Sequence, residues 1–316
     1  MMDRLTENKI ILITRMTRLE ELIKRFNTVE QAKFYIEHMG ADFSDYVKEH
    51  KTYQQSLKFV ESELKKMARV QVLERSFLPN FIFSKDDLIV VLGQDGLVVN
   101  TAKYLNEQMV VAINPDPDRW DGILLPFETK DIARIVPEVF KEKREIKNVT
   151  MAKAELKDGQ KLYAVNDLFI GQKSHTSARY EIKLGKKQEN HSSSGIIVST
   201  GLGSTGWLTS IIIGASAIVA GTSKDKKNLK DRNKDIQPSW DMNYLYFSVR
   251  EPFPSKTTST SLIFGKITPD KPLILTSFMP ENGVIFSDGI ESDYIEFNSG
   301  SIARIGIAEK KVHIVI

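Results

Sequence analysis

The sequence contains no cysteine among its 316 residues. That absence excludes a disulfide framework, a thiolate metal site and a cysteine nucleophile. It also fits a reducing compartment such as the cytoplasm. The five histidines show no spacing typical of zinc ligands, so we expect no protein-bound metal. They are His38, His50, His175, His191 and His313.

Long apolar runs and excess charge are lacking as well. No uninterrupted apolar run reaches the roughly 18 residues of a membrane-spanning helix, so we expect no membrane partner. Only about eight residues precede the first predicted strand, too few for a signal or transit peptide, and a cytoplasmic location is predicted. The formal net charge of +3 is small for this length and does not favour a nucleic-acid partner.

The N-terminal part alternates short apolar runs with helical patterns. "KIILIT" (Lys9–Thr14), "DLIVVLG" (Asp87–Gly93) and "MVVAIN" (Met109–Asn114) are apolar on both faces, which is typical of buried parallel strands. "RVQVL" (Arg69–Leu73) is a fourth strand candidate. Strands that alternate with helices predict a Rossmann-like α/β domain over residues 1–145.

The remainder, residues 146–316, reads differently. Short strand-like runs such as "KLYAVNDLFIG", "SGIIVSTG" and "NYLYFSVR" are separated by turn residues, which predicts a β-rich domain. "TGWLTSIIIGASAIV" is the one helical interruption. Residues 221–240 are polar and rich in lysine; we interpret them as a mobile surface loop, with a phosphate-binding patch as the alternative.

The stretch "LIVVLGQDGLVV" places Gly93-Gln94-Asp95-Gly96 directly after a buried strand. Strands of α/β domains end at the crevice where ligands bind. Glycines there let backbone N–H groups approach a phosphate. A carboxylate in such a loop makes sense if it accepts a proton from an attacking hydroxyl or helps to hold a metal. The alternative is that the glycines only build a turn and Asp95 caps the next helix.

Two further motifs follow in order: Asn166-Asp167 at a strand edge in "AVNDLFIG", and the turn Gly201–Gly206 in "STGLGSTGW" directly before a helix. With the glycine loop, they resemble the NAD kinase family, and most of all its divergent mitochondrial-type members. Weaker similarities in "AINPDPDRWDG", "SVREP" and "FSDGIESDYIEFN" extend the resemblance over nearly the whole chain.

The resemblance implies roles for residues of the first domain. Asp95 would be the catalytic base that takes the proton from the adenosine-ribose 2′-hydroxyl of NAD. Gly93, Gln94 and Gly96 would form the phosphate loop around it. ATP would donate the phosphoryl group with Mg²⁺, and NADP would be the product.

In the second domain, the resemblance implies that Asn166 and Asp167 hold the adenosine moiety, with Asp167 on ribose hydroxyls. The turn residues would complete the nucleotide site: Gly203 and Gly206 by backbone access, Ser204 by lining, Thr205 by contact with adenine and Trp207 by stacking. The family also implies a β-sandwich-like fold for this second domain and a homo-oligomer, at least a dimer.

Some positions depart from the family pattern. Gln94 replaces a glycine, Asp167 replaces a glutamate, and Ser194 stands where many members have an aspartate near the nicotinamide half. Gly201-Leu202 replaces Pro-Thr, and Trp207 replaces a tyrosine. These departures keep two alternatives open: a related kinase that acts on a sugar or lipid hydroxyl, and a non-catalytic nucleotide-binding protein.

Overall fold

The computed structural model describes residues 6–222 and 238–316. The chain divides into two compact units. The first holds Met1–Lys147 together with the last four residues, His313–Ile316, and the second holds Asn148–Val312. Of the predicted mobile loop 221–240, residues 223–237 lie outside the described part of the chain.

The first unit is a parallel sheet flanked by helices, as predicted. Its strands run in the order β2-β1-β3-β4, with β5 and the chain end at His313–Ile314 also paired with β4. All of these pairings are parallel. The strands are β1 (Lys9–Thr14), β2 (Arg69–Glu74), β3 (Leu88–Leu92), β4 (Met109–Asn114) and β5 (Phe127–Glu128); the helices are α1 (Arg18–Phe26), α2 (Val29–His38), α3 (Phe43–Met67), α4 (Asp95–Ala102) and α5 (Ile132–Phe140).

The core of this unit lies between the central strands and two helices. Every residue of β3 is buried, which explains why its sequence lacks polar alternation. Apolar residues of α3 pack there, with Tyr53, Val60 and Leu64 buried and Leu57 and Met67 partly buried. The apolar residues of α5 join the same cluster.

The second unit consists of two packed sheets, and the predicted sandwich-like class is confirmed. One sheet has the order β10-β9-β14-β17, with β6 paired to β17 and β7 paired to β6; the other has the order β13-β12-β11-β8-β15-β16. Side chains from both sheets form one cluster, including Tyr180 and Leu275 from the first and Phe247 and Ile285 from the second. The strands are β6 (Ile146–Leu156), β7 (Lys161–Ala164), β8 (Asp167–Gln172), β9 (Ala178–Leu184), β10 (Lys187–Ser193), β11 (Ile196–Ser199), β12 (Leu245–Val249), β13 (Phe264–Ile267), β14 (Leu273–Ser277), β15 (Gly283–Ser287), β16 (Ile290–Glu296) and β17 (Ile302–Val315).

The helix of this unit is α6 (Trp207–Thr222). With the turn before it, Gly203–Thr222 is one helical segment in the described residues that is long and apolar enough to cross a membrane, with a mean hydropathy of 1.4. Glycine, serine and threonine interrupt the apolar residues of this segment, but it contains no charged residue. Most of the helix is exposed, including Ile213, Ile218 and Val219.

The parallel sheet provides a test of the first unit's core. Leu12 in β1 is fully buried, so Leu12→Ala should lower the free energy of unfolding by about 2–5 kcal/mol because the truncation leaves a cavity. Val72 lies beside it in register on β2 but is exposed, and Val72→Ala should cost less than about 1 kcal/mol. Denaturant unfolding followed by circular dichroism measures both, and equal costs would contradict this assignment of the core.

Candidate functional site

The glycine loop joins β3 to α4 in the first unit. The Gly93 N–H donates to the carbonyl of Ile113 on β4, at 3.2 Å. A Cβ at Gly93 would lie 2.6 Å from Cδ2 of Leu97, so glycine lets the first turn of α4 fold back onto the loop. Gly96 is exposed, and a Cβ there would meet no atom within 4 Å. The loop therefore has open space beside Gly96.

Asp95 is the first residue of α4, and its carboxylate is engaged in one tertiary hydrogen bond. The N-cap of the helix is Gln94, which makes no side-chain capping bond. The interpretation of Asp95 as the cap is therefore wrong, because its Oδ1 accepts from the N–H of Leu124 at 2.7 Å instead. This bond orients the half-buried carboxylate toward the loop that follows β4.

Asn114, at the end of β4, organises that loop. Its Nδ2 donates to the carbonyl of Trp120 at 2.9 Å, and its Oδ1 accepts from the N–H of Asp116 at 3.0 Å. Gly122 has a positive φ of 64°, and a Cβ there would lie 2.8 Å from Nδ2 of Asn114. Sequence reasoning missed Asn114; the signal was a polar residue at the end of an otherwise apolar parallel strand.

Arginines and carboxylates form a network at the same edge of the sheet. Arg15 follows β1, and its guanidinium pairs at 2.9 Å with Glu49, whose side chain is only 2% exposed. Arg18 bonds both Glu49 and Asp45, and Arg119 bonds Asp45. Hydrogen bonds from Arg119 and Arg18 lower the pKa of Asp45. Burial opposes ionisation of Glu49, but the bonds from Arg18 and Arg15 outweigh it and lower its pKa.

Tyr53 connects the ends of two strands beneath this network. Its hydroxyl accepts from the N–H of Arg15 and donates to the carbonyl of Leu92, each at 3.0 Å. Burial raises the pKa of Tyr53 to about 12, so the hydroxyl keeps its proton. The ends of β1 and β3 are thereby fixed to α3. Sequence reasoning did not single out Arg18, Asp45 or Glu49, because charged residues on helices are usually solvated.

In the second unit, Asp167 begins β8 and carries an unusual carboxylate. Its Oδ1 is inaccessible to solvent and has no hydrogen-bond partner in the described residues. Burial raises the pKa of Asp167 to about 7; the nearby Ser199 hydroxyl acts to lower it, and the charge of Asp288 raises it further. A buried acceptor without a donor costs folding free energy, which makes it a candidate ligand contact.

Asn166 lies directly against the glycine-rich turn. The N–H of Thr200 donates to the Asn166 carbonyl at 2.9 Å. The hydroxyl of Thr200 donates to the carbonyl of Val165 at 2.6 Å and accepts from the N–H of Gly203 at 3.1 Å. A Cβ at Gly203 would lie 2.2 Å from the Asn166 carbonyl oxygen, so only glycine fits. The structure thus brings these two sequence motifs together, through a threonine that sequence reasoning missed.

The other turn residues differ in exposure. The buried hydroxyl of Ser204 donates to the carbonyl of Gly201 at 2.7 Å, and the exposed Thr205 donates to that of Leu202 at 3.1 Å. Gly206 is exposed and ends the turn, its N–H bonded to the carbonyl of Gly203. Ser204 therefore holds the turn, whereas Thr205 and Gly206 are open to a ligand.

Trp207 opens α6 and packs on other aromatic residues. Its ring is nearly parallel to that of Phe169, with centroids 6.1 Å apart. The guanidinium carbon of Arg250 lies 5.5 Å from its centroid. The ring is only partly buried, so part of it is accessible to solvent.

The candidate residues fall into two groups. Gly93, Gln94, Asp95 and Gly96 belong to the first unit; the Asn166-Asp167 pair and the turn from Gly203 to Trp207 belong to the second. Among residues 6–222 and 238–316, no three His, Cys, Asp or Glu side chains form a cluster that would hold a metal ion.

Comparison with known proteins gives a fold relationship. No protein-family model matches the sequence, and no curated protein matches it. Among the solved structures that match, two cover nearly the whole chain. One is yeast NADH kinase complexed with NADH: 15% identity, a TM-score of 0.57, and 98% of this chain and 84% of that chain covered. The other is an NAD kinase from Archaeoglobus fulgidus in complex with ATP: 14% identity, a TM-score of 0.54, and 98% and 93% covered. The chain therefore has the fold of the NAD kinases.

The contact between Gly203 and Asn166 predicts a steric effect. Gly203→Ala should destabilise the second unit by about 1–3 kcal/mol or displace the turn, because backbone atoms cannot move aside as a side chain can. Gly214→Ala is the matched control: it lies within α6, where a Cβ meets nothing, and should stabilise by up to about 1 kcal/mol. Denaturant unfolding measures both, and a neutral Gly203→Ala would show that the turn does not press on Asn166.

Proposed function

We propose that the protein is an NAD kinase that transfers a phosphoryl group from ATP to the adenosine-ribose 2′-hydroxyl of NAD, which gives NADP and ADP. One observation carries the proposal: the buried Oδ1 of Asp167 has no donor in the described residues. Asp167 directly follows Asn166, and the glycine-rich turn packs against Asn166 through Gly203. The fold supports it, since the two similar structures are kinases complexed with NADH and with ATP.

Asp167 is suited to bind a ribose. A ribose presents neighbouring hydroxyl groups, each of which donates one hydrogen bond, and a carboxylate accepts such bonds strongly. A donor supplied by the ligand would remove the cost of the unpaired buried oxygen. The same oxygen selects against ligands without a hydroxyl at that place, because they would leave it unpaired.

Asp95 is suited to act as the base. The Leu124 N–H holds Oδ1, whereas Oδ2 takes part in no hydrogen bond among the described residues. In the proposed step, the 2′-hydroxyl gives its proton to Asp95 while its oxygen forms a bond to the γ-phosphorus. The bond from that phosphorus to the β–γ bridging oxygen breaks, and ADP leaves with the electron pair.

The glycine loop is suited to bind the phosphates. The open space at Gly96 admits a bulky group, and the first N–H groups of α4 point out of the helix with partial positive charge. Mg²⁺ bound with ATP would neutralise phosphate charge. Since the described residues form no metal cluster, the phosphates themselves would supply most of its ligands.

A second candidate is a kinase of the same fold that phosphorylates a lipid hydroxyl. The exposure of the apolar residues of α6 favours it, because a lipid substrate must be met at an apolar surface. A non-catalytic nucleotide-binding protein would bind NAD without ATP-dependent turnover. The cytoplasmic location and the homo-oligomer stay predictions from the sequence.

The role of Asp95 is tested by removing its charge. Asp95→Asn should lower kcat for NADP formation by roughly 10²–10⁴-fold, because asparagine cannot accept the proton. Asp86→Asn is the matched control, since Asp86 is exposed just before the amino end of β3 and should keep full activity. The assay combines protein, ATP, Mg²⁺ and NAD, and an NADP-specific dehydrogenase reads the product. Near-full activity of Asp95→Asn would exclude Asp95 as the base.

The raised pKa of Asp167 predicts that NAD binding depends on pH. The ionised carboxylate accepts ribose hydroxyls, and its pKa is about 7. NAD affinity should therefore fall roughly tenfold as the pH falls from 8 to 6. The stability of the protein without ligand should depend on pH in the opposite direction. Because the fold disfavours the charged form of Asp167, the free energy of unfolding should decline as the pH rises from about 4 through 7.

Calorimetric titration of NAD across this range, on wild type and Asp167→Asn, checks the binding prediction. The asparagine variant should bind more weakly at pH 8 and lose the dependence on pH. A wild-type affinity that is flat between pH 6 and 8 would contradict the role given to Asp167.

A further inference from the structure

The carboxylate of Asp288 bonds the backbone of the segment that carries Asn166 and Asp167. Asp288 lies between β15 and β16, more than a hundred residues along the chain from Asn166, yet its carboxylate accepts hydrogen bonds from three consecutive backbone N–H groups. Val165 donates at 3.1 Å to both oxygens, and Asn166 and Asp167 donate to Oδ1 at 2.7 and 3.3 Å. In return, the N–H of Asp288 donates to the carbonyl of Asp167 at 2.9 Å.

Asp288 lies in the two-residue turn that joins β15 to β16. It has a positive φ of 55°, and Gly289 follows with 71°. Positive φ at both positions is what a two-residue hairpin turn favours, and Asp-Gly is a common sequence for it. The backbone conformation is therefore explained by the hairpin, whereas the hydrogen bonds of the Asp288 carboxylate to residues 165–167 are not.

The three N–H groups that converge on the Asp288 carboxylate belong to a distant segment of the chain, and the hairpin turn itself does not require them. They fix residues 165–167 from one side, while Gly203 presses on Asn166 and Thr200 bonds both Val165 and Asn166. A charged acceptor makes these bonds stronger than neutral ones. The segment that carries the candidate ribose ligands is therefore held from two directions.

We propose that Asp288 is a positioning residue of the nucleotide site, which holds Asn166 and Asp167 in the orientation that receives the ribose of NAD. The inference rests on the proposed function as far as the ligand is concerned. Asp288 itself does not contact the reacting atoms in this account; it acts through the backbone of the two residues that do.

Two substitutions separate the geometry from the charge. Asn in place of Asp288 keeps an oxygen at the position of Oδ1, which accepts from all three N–H groups, and removes the negative charge. Ala removes both. Besides Asp288, the neighbour that influences the ionisation of Asp167 is Ser199, and both variants leave it unchanged. Asp158→Ala is the matched control, since Asp158 also bonds a backbone N–H, that of Gln160, in the exposed turn between β6 and β7.

Two readouts are measured on each full-length variant. Amide hydrogen exchange, followed by NMR, reports whether residues 165–167 are held, with or without a ligand. Calorimetric titration of NAD between pH 6 and 8 reports whether the site receives the ribose. The first readout does not depend on the proposed function, so failures of the two ideas are distinguishable.

For Asp288→Ala, we expect exchange at residues 165–167 to quicken and NAD affinity at pH 8 to fall, each by about tenfold or more. Asp288→Asn should keep the NAD affinity at pH 8 within about threefold, because the acceptor oxygen stays. The same variant should retain NAD binding at lower pH than wild type, because a like charge no longer opposes the ionisation of Asp167. Asp158→Ala should change neither readout.

The inference is overturned if Asp288→Ala leaves the exchange rates and the NAD affinity at wild-type values. It is also overturned if Asp288→Asn loses affinity as fully as Asp288→Ala without any change in pH dependence, since the carboxylate would then matter only for the fold. If wild type bound no NAD, the proposed function would fail, and unchanged exchange in Asp288→Ala would still refute the holding role.

Discussion

The contact between Gly203 and the backbone of Asn166 determines how the candidate ribose ligands are presented. A side chain at residue 203 has no room there, so the glycine-rich turn and the start of β8 lie directly against each other. Thr200 closes the contact with bonds to Val165, Asn166 and Gly203. Asp167 is the next residue, and its buried Oδ1 has no donor among the described residues.

The first unit uses a different device to present Asp95. Parallel strands end at one edge of the sheet, and the loops after β3 and β4 are joined there by the bond from Leu124 to Asp95. Asn114 holds the second of these loops, and Tyr53 fixes the end of β3 to α3. The carboxylate of the proposed base is thereby oriented by a hydrogen bond from a backbone N–H.

Sequence reasoning reached the fold class and the candidate residues that lie in local motifs. β1 and β4 have the predicted bounds because a run that is apolar on both faces is a local signal. Thr200 was missed because its bonds depend on a close approach of two strands, and the contacts of Asp288 join positions 121 to 123 residues apart.

We propose that the protein directs a phosphoryl group to one hydroxyl of NAD. The most direct test is to incubate the purified protein with ATP, Mg²⁺ and NAD and to identify the product by ³¹P NMR and mass spectrometry. We expect NAD to gain one phosphate, attached to the 2′-oxygen of the adenosine ribose, with stoichiometric release of ADP. Phosphate at another position, or ADP released without a phosphorylated dinucleotide, would contradict the account.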